Sequence, residues 1–264
     1  MTARNRDLIE ELNQRGGRTL SLVDLIEAGT LSAKMAGELA ALVRSGASFL
    51  TGAREGGAGK STLLAGLLAC LPPGEEIVTL LHPGAVKAAA RTPAPGRCFL
   101  CHEIGSGSWY GYLWGRAAAD FIGLARQSRI ASCLHADTPE EMKAILLSQS
   151  AGETDFAQVG LLSFIRRMGG RRRVTAVYIA GGGAPGAGPE TSLASAASGA
   201  PGAPHRLRWS WDPARDVFLS HGGPTADPAL AGRFARLFED LQRKGVREFG
   251  EVMGRVLRAG GATG

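Results

Sequence analysis

The chain has 264 residues, of which 44% are hydrophobic and 20% are charged, a composition that excludes a disordered protein and predicts a globular one. The longest apolar run, residues 63–71, is too short to cross a bilayer, and the polar first residues lack the apolar core of a secretory signal, so we expect a cytoplasmic protein. The formal net charge is +6, but arginine and glycine are abundant throughout the chain. This pattern is typical of a GC-rich genome, so the charge does not by itself predict nucleic-acid binding.

The first 150 residues contain helical and strand-like patterns, which alternate from residue 47 to residue 149. Apolar spacing and caps predict helices over residues 5–14, 21–28, from Ser32 to 45, 60–70, within 112–127 and from 138 onward. Short apolar runs predict strands at residues 48–51, 77–81, 98–104 and 130–134. Residues 83–97, rich in proline, alanine and glycine, are predicted to form a loop. Strands that alternate with helices in this way predict an α/β fold with a mainly parallel sheet.

The pattern changes after residue 150. Residues 159–180 flank a Gly-Gly turn and residues 205–219 flank an Asp-Pro turn, so each is predicted to form a β-hairpin. Two amphipathic helices follow as a small helical tail. We therefore divide the chain into an N-terminal helical segment, a core, a flexible Gly/Ala/Pro loop and a C-terminal hairpin with a helical pair, at residues 1–45, 46–180, 181–204 and 205–264.

Residues 52–62, GAREGGAGKST, have a predicted strand before them and a predicted helix after them, which is the context of a phosphate-binding loop, or Walker A motif. Small residues let backbone N–H groups turn inward around phosphates, and the helix N-terminus adds a positive dipole end. We expect Lys60 to bridge the β- and γ-phosphates of ATP and the Ser61 hydroxyl to bind Mg²⁺. Arg54 stands where the consensus has its first glycine, and the alternative is a glycine-rich turn before a core helix. The predicted cofactor-binding residues are Gly56, Gly57, Ala58, Gly59, Lys60, Ser61 and Thr62.

Further stretches match one family in the same order along the chain. They are DLIEAGTLS at 24–32, GASFLTG at 46–52, LPPGEEIVT at 71–79, CHEI at 101–104, CLHADT at 133–138 and WSWDP at 209–213. With the phosphate loop between them, these stretches resemble the type II/IV secretion ATPases, and most of all the archaeal branch that includes archaellum and type IV pilus motors.

The resemblance implies a RecA-like P-loop ATPase core in a hexameric ring that assembles or secretes pilin-like subunits. It implies that Glu103 is the Walker B acid, which polarises the attacking water or holds Mg²⁺ through water, and that His135 senses the γ-phosphate. Glu103 and His135 are thus the expected catalytic residues, and Ser61 and Glu103 the expected metal ligands. The implied partners are further copies of the chain or a related ATPase, and an inner-membrane platform protein that would bring the chain to the inner face of the membrane.

The chain departs from this family at three places. Leu81 and His82 stand where the family has acidic residues after its second strand, and the arginine after the Walker B acid is missing. Of the segment that carries arginines toward a neighbouring subunit only residues 83–97 remain, with Arg91 and Arg97 as substitutes. Phosphoryl transfer depends on charge stabilisation at the γ-phosphate. A hydrolysis-impaired nucleotide-binding subunit that regulates or completes an assembly therefore stays open beside the motor, with a RecA-like nucleic-acid-handling protein as a third alternative.

Three other clusters have less specific interpretations. Cys101, His102, Cys133 and His135 would suit zinc if they converged, but strand alternation separates the first two, and buried core thiols are the alternative. The five arginines within residues 166–173 are interpreted as a solvated edge, with a neighbour's nucleotide or an acidic partner as alternatives. The aromatic residues within 109–114 are expected in core or subunit-interface packing.

Overall fold

The computed structural model describes residues 3–13, 16–92, 95–107, 109–181, 204–223 and 227–260. The strands within these residues are β1 (Phe49–Gly52), β2 (Glu76–Thr79), β3 (Arg97–Leu100), β4 (Glu103–Ile104), β5 (Tyr112–Leu113), β6 (Arg129–Leu134), β7 (Leu161–Met168), β8 (Arg171–Ala180), β9 (His205–Asp212) and β10 (Val217–Ser220). The α-helices are α1 (Ala3–Glu10), α2 (Leu22–Glu27), α3 (Ala33–Arg44), α4 (Lys60–Leu68), α5 (Pro83–Arg91), α6 (Arg116–Gly123), α7 (Pro139–Ser148), α8 (Glu153–Ala157), α9 (Pro228–Arg243) and α10 (Phe249–Ala259). None of the helices in these ranges has the length and apolar character needed to cross a membrane.

The strands join in one sheet with the order β10-β9-β8-β7-β1-β6-β3-β2, and β4 pairs with β5 and β6. The row from β2 through β3, β6 and β1 to β7 is parallel. The row from β7 through β8 and β9 to β10 is antiparallel, so β7 is the strand at which the direction changes. This topology confirms the predicted α/β class with a mainly parallel core and two C-terminal hairpins. Strand β1 lies between β6 and β7 and is parallel to both. The loop that follows β1 therefore lies at the carboxyl edge of the sheet, where α/β proteins bind ligands.

Helices cover both faces of the sheet. In β1, Phe49 and Leu50 are both fully buried but contribute to different hydrophobic clusters, as the alternation of a central strand requires. Helices α1 to α4, α9 and α10 pack on the face of Phe49, and α5 to α8 pack on the face of Leu50. Helices α3 and α9 approach so closely that a Cβ on Gly37 would lie 2.5 Å from the carbonyl oxygen of Ala231. The first and last helices of the chain therefore share one layer.

The predicted loop over residues 83–97 is wrong in its first part, because α5 occupies Pro83–Arg91. His82 caps this helix by accepting a hydrogen bond from the backbone N–H of Ala85 at 3.2 Å. Proline is favoured at the first helical position, and alanine has the highest helix propensity of any residue. The buried side chain of Val86 anchors the helix to the sheet. The composition that suggested a loop therefore favours a short helix once it is capped.

The predicted strand over residues 98–104 is interrupted, since β3 ends at Leu100 and β4 begins at Glu103. Between them, the backbone N–H of His102 donates to the carbonyl oxygen of Gly111 at 3.0 Å instead of to a neighbour in the central ladder. Both predicted hairpins are present, and the first turns at Gly169 and Gly170 with positive φ at both residues. The predicted loop at 181–204 lies outside the described residues except for its two ends, and the four-part division of the chain stays a prediction.

Candidate functional site

Glycine conformations shape the loop between β1 and α4. Gly57 and Gly59 have φ values of 77° and 110°, in the region that favours glycine. A Cβ on Gly52 would lie 2.5 Å from the carbonyl oxygen of Ala136 and 2.7 Å from the ring of Phe164, so only glycine fits at the end of β1. Helix α4 begins at Lys60 without a side-chain cap from Gly59. Its first N–H groups thus have the arrangement with which helix N-termini bind anions.

Lys60 is buried at the beginning of α4, with a relative exposure of 6%. Its Nζ donates to the carbonyl oxygen of Ala53 at 3.3 Å and lies 3.3 and 3.4 Å from the two ring nitrogens of His135. The same Nζ is 4.0 Å from Oε1 of Glu103. The ammonium group is therefore held at the base of the loop by three partners that a bound phosphate would have to replace or join.

Glu103 is fixed by two further side chains. Its Oε1 lies 2.7 Å from Nε2 of His135, and its Oε2 accepts a hydrogen bond from the Tyr112 hydroxyl at 3.1 Å. Burial raises the pKa of Tyr112 to about 12, and the charge of Glu103 adds to the increase. The phenol therefore stays protonated and donates a hydrogen bond to the carboxylate. Nδ1 of His135 is in turn 2.7 Å from the carbonyl oxygen of Arg54, within the loop. The predicted catalytic pair thus contacts both Lys60 and the loop backbone.

One cleft of about 620 Å³ is lined by most of the predicted site residues. Ala58 is the exception, because its side chain is buried against Ala53 and Ile165 and leaves only its backbone to contribute. The N-terminal segment forms part of the same lining. The predicted residues among those that line it are Gly56, Gly57, Gly59, Lys60, Ser61, Thr62, Glu103 and His135.

Ser61 and Glu103 supply the oxygen donors that Mg²⁺ prefers. Both line the cleft. Magnesium is usually held by one or two protein oxygens together with substrate phosphates rather than by an all-protein cage. The donor set therefore fits a magnesium ion that arrives with a nucleotide.

The cysteine and histidine cluster shows the features of a packed core. Within the described ranges, no three His, Cys, Asp or Glu side chains are arranged to hold a metal ion. Burial raises the pKa of the Cys101 thiol to about 12, and the buried Cys133 thiol donates to the carbonyl oxygen of His102 at 2.8 Å. Protonated thiols with backbone partners are poor zinc ligands, which favours the core interpretation.

Arg172 is a site residue that the sequence pattern does not single out. Its Nε and Nη2 donate to the carbonyl oxygen of Gly57 at 3.4 and 3.2 Å, and the side chain lines the cleft. The solvated-edge interpretation holds for the exposed Arg166 and Arg167 but is wrong for Arg172 and for the buried Arg173. The pairing of β7 with β1 places the tip of this hairpin at the same edge as the loop, and the sequence carries no signal for that pairing.

Arg54, in place of the consensus glycine, connects the loop to the segment between β6 and α7. Its backbone N–H donates to Oδ1 of Asp137 at 2.8 Å, and its guanidinium pairs with Glu141 on α7. Arg166 approaches the same Asp137 at 3.2 Å from the β7–β8 hairpin. The loop, the hairpin and the residues after β6 are therefore connected by charged contacts.

A second part of the cleft wall comes from the N-terminal segment, through residues 12, 13, 16, 18–20, 24, 25, 28 and 30. Here both terminal nitrogens of Arg18 bond the carboxylate of Asp24, which also accepts from Ser21. Burial opposes ionisation of Asp24, but these hydrogen bonds outweigh it and hold the pKa of Asp24 below its usual value. This wall is thus built around a satisfied ion pair.

Three aromatic residues near the site are exposed rather than packed in the core. Trp109, Tyr110 and Trp114 have relative exposures of 72%, 60% and 45%. Tyr112, from the same stretch, is the one that turns inward to Glu103. Core packing is therefore wrong for the first three, and their role at a subunit interface stays a prediction.

No protein-family model and no curated protein matches this chain. Among solved structures, the chain is similar to the VirB11 ATPase from the Brucella suis type IV secretion system in complex with sulphate, with 18% identity and a TM-score of 0.41 over 58% of this chain and 55% of that one. It is also similar to the ATPase DotB of Legionella pneumophila, with 14% identity and a TM-score of 0.38 over 83% of this chain and 57% of that one. The chain thus spans little more than half the length of each. Both are described as ATPases, the class that the sequence motifs resemble, but at these identities and TM-scores membership of their family remains a proposal.

Proposed function

We propose that this chain is an ATP-binding P-loop protein of the type II/IV secretion ATPase kind, in which ATP hydrolysis energises the assembly or secretion of pilin-like subunits. The observation that carries the proposal is the position of Lys60. Its buried ammonium lies at the N-terminus of α4, beneath a glycine loop and 4.0 Å from Glu103, in a cleft of about 620 Å³. A phosphate chain is the ligand that such a loop, lysine and helix N-terminus bind together.

Each residue has a definite task in this proposal. The backbone N–H groups of the loop and the Nζ of Lys60 bind the phosphates, and Ser61 and Glu103 hold Mg²⁺. The bound ion supplies positive charge to the terminal phosphate oxygens. Glu103, held by Tyr112 and His135, orients the attacking water at its carboxylate. His135 contacts Lys60 as well as Glu103, so its position depends on whether the ammonium has moved to a γ-phosphate.

A second candidate is a nucleotide-binding subunit with impaired hydrolysis. The small number of acidic residues in the cleft favours this candidate. Among the described residues that line the cleft, the acids are Asp24 and Glu103. Asp24 is paired with Arg18, and His82, in an acidic position of the family, is engaged as the cap of α5. Glu103 would then be the one carboxylate left for the metal and the water, which is enough for binding and a weak basis for fast turnover.

The proposed partners follow from the motor function. Further copies of the chain in a hexameric ring, or a related ATPase in a mixed assembly, would complete the site across a subunit boundary. An inner-membrane platform protein would place the assembly at the inner face of the membrane. Nucleic acid is not among the partners that we propose.

The test is the replacement of Lys60. We expect Lys60→Ala to weaken ATP binding, measured by titration with Mg²⁺, by at least about a hundredfold, because a charged hydrogen-bonding group is removed from a desolvated site. Lys244→Ala removes an exposed lysine at the end of α9 and serves as the matched control. Equal ATP affinity in Lys60→Ala and the wild type would refute the nucleotide site. If Lys60→Ala loses affinity as expected, ATP turnover by the wild type decides between the two candidates: turnover supports the motor, and binding without turnover supports the impaired subunit.

A further inference from the structure

The hairpin formed by β7 and β8 delivers one arginine to the phosphate loop. Strand β7 runs parallel beside β1 through the pairing of Phe49 with Leu161, so its carboxyl end reaches the same edge of the sheet as the loop. Arg172 follows at the second position of β8 and is partly buried. Its Cδ lies 3.2 Å from the position that a Cβ on Gly59 would occupy, so the side chain lies directly on the loop.

The contact that Arg172 makes is weak for a charged group. Its guanidinium bonds the neutral carbonyl oxygen of Gly57 at 3.2 and 3.4 Å, which are long distances for such bonds. The two other arginines that line the cleft have carboxylate partners: Arg18 pairs with Asp24, and Arg171 lies 3.7 Å from Asp216. Among the described residues, no carboxylate forms an ion pair with Arg172. A partly buried guanidinium without a counter-ion, in a cleft with Lys60, is suited to an anion.

We propose that Arg172 is a phosphate-binding arginine, supplied by the chain itself, which contacts the terminal phosphate of the bound nucleotide. This inference rests on the proposed function. In the proposed function the backbone N–H groups of the loop bind the phosphates, and the guanidinium of Arg172 is already bonded to that loop at Gly57 and lines the same cleft. The bidentate fork of arginine matches phosphate geometry, and rotation of its terminal group exchanges the Gly57 carbonyl for phosphate oxygens. Arg172 thereby supplies from within the same chain the charge that its departures from the secretion ATPases leave missing.

The loss of affinity on replacement of Arg172 is expected to depend on whether the nucleotide carries a γ-phosphate. A charged hydrogen bond in a desolvated site contributes about 10- to 100-fold in affinity, so Arg172→Ala should weaken ATP binding by at least about tenfold and ADP binding by less than about threefold. If the wild type turns ATP over, turnover should fall by about a hundredfold or more, since arginines at the γ-phosphate can accelerate transfer by about 10³- to 10⁵-fold. Arg172→Lys keeps the charge without the fork and should give intermediate values.

The experiment compares ATP and ADP titrations, with Mg²⁺, of the wild type, Arg172→Ala, Arg172→Lys and Lys60→Ala. Arg167→Ala is the matched control, because Arg167 lies opposite Arg172 across the hairpin and is exposed. Circular dichroism melting confirms that each variant is folded, and Arg172→Lys covers the case in which the alanine variant is not. A larger loss for ATP than for ADP in Arg172→Ala, absent in Arg167→Ala, supports the proposal.

Three results would overturn it in distinguishable ways. If the wild type binds ATP, Lys60→Ala does not, and Arg172→Ala binds like the wild type, the role of Arg172 is wrong while the proposed function stands. If Arg172→Ala and Arg172→Lys lose ATP and ADP affinity equally, Arg172 only holds the loop and does not contact the terminal phosphate. If the wild type binds neither nucleotide, the proposed function fails and the inference fails with it.

Discussion

Replacing Glu103 with glutamine removes one negative charge from the site and nearly preserves the shape of the side chain. Oε1 of Glu103 is 4.0 Å from Nζ of Lys60, a separation that corresponds to about 4 kcal/mol of attraction at an effective dielectric constant of about 20. The two carboxylate oxygens also contact His135 and Tyr112 at 2.7 and 3.1 Å. A carboxamide has one oxygen and one amino group, so only one of these two neighbours can keep an oxygen at its contact.

We expect Glu103→Gln to lower ATP turnover by at least about tenfold, which is about 1.4 kcal/mol of transition-state stabilisation. The loss arises because the amide neither draws a proton from water nor holds Mg²⁺ as a carboxylate does. The affinity for ATP should be equal to that of the wild type or higher. The loop amides and Lys60 are unchanged, and the ammonium no longer has to leave a carboxylate to reach a phosphate.

The assay measures phosphate release at saturating ATP and Mg²⁺, beside an ATP titration of the same samples. Glu153→Gln, which alters an exposed carboxylate on α8, is the control for the loss of one charge. Equal, measurable turnover in the wild type and Glu103→Gln would show that another residue carries the chemistry and that the Walker B assignment is wrong. ATP binding without turnover in both would refute the motor and support the impaired subunit.

The remaining predictions concern the loop and the assembly. Gly52→Ala would place a Cβ against the carbonyl oxygen of Ala136 and the ring of Phe164, and should lower the free energy of unfolding by about 2–3 kcal/mol or more in chemical denaturation. Gly56→Ala, where a Cβ meets no atom within 4 Å, should change it by less than about 0.5 kcal/mol, and equal effects would contradict the packing argument. In light scattering with ATP and Mg²⁺, the protein should form a species much larger than 27.5 kDa. A strict monomer in all nucleotide states, with and without candidate partner subunits, would count against the ring.

The sequence predicts the centre of the fold well because its signals there are local. Strand β1, the glycine loop and α4 are contiguous, and each has a composition typical of its own structure. The error at α5 has the opposite origin, since alanine next to proline and glycine suggests a loop or a helix according to whether a cap and a packing surface are present. His82 provides the cap and Val86 the buried contact. Neither can be recognised without knowing that the sheet lies beside them.

The parts of the site that the sequence did not predict come from partners far apart in the chain. Tyr112 reaches Glu103 at a break in the ladder at residue 102, which the apolar pattern of residues 98–104 conceals. Arg172 is 115 residues from Gly57 and is embedded in a run of arginines whose composition favours a solvated surface. Alternation along β8 makes Arg173 buried and paired with Asp216, while Arg172 turns toward the loop. Which arginine of such a run is functional is therefore set by strand register and by the neighbour of β7 in the sheet. The pairing of β7 with β1 brings this hairpin to the phosphate loop, and the register of β8 makes Arg172 the one of the five arginines that bonds the loop directly.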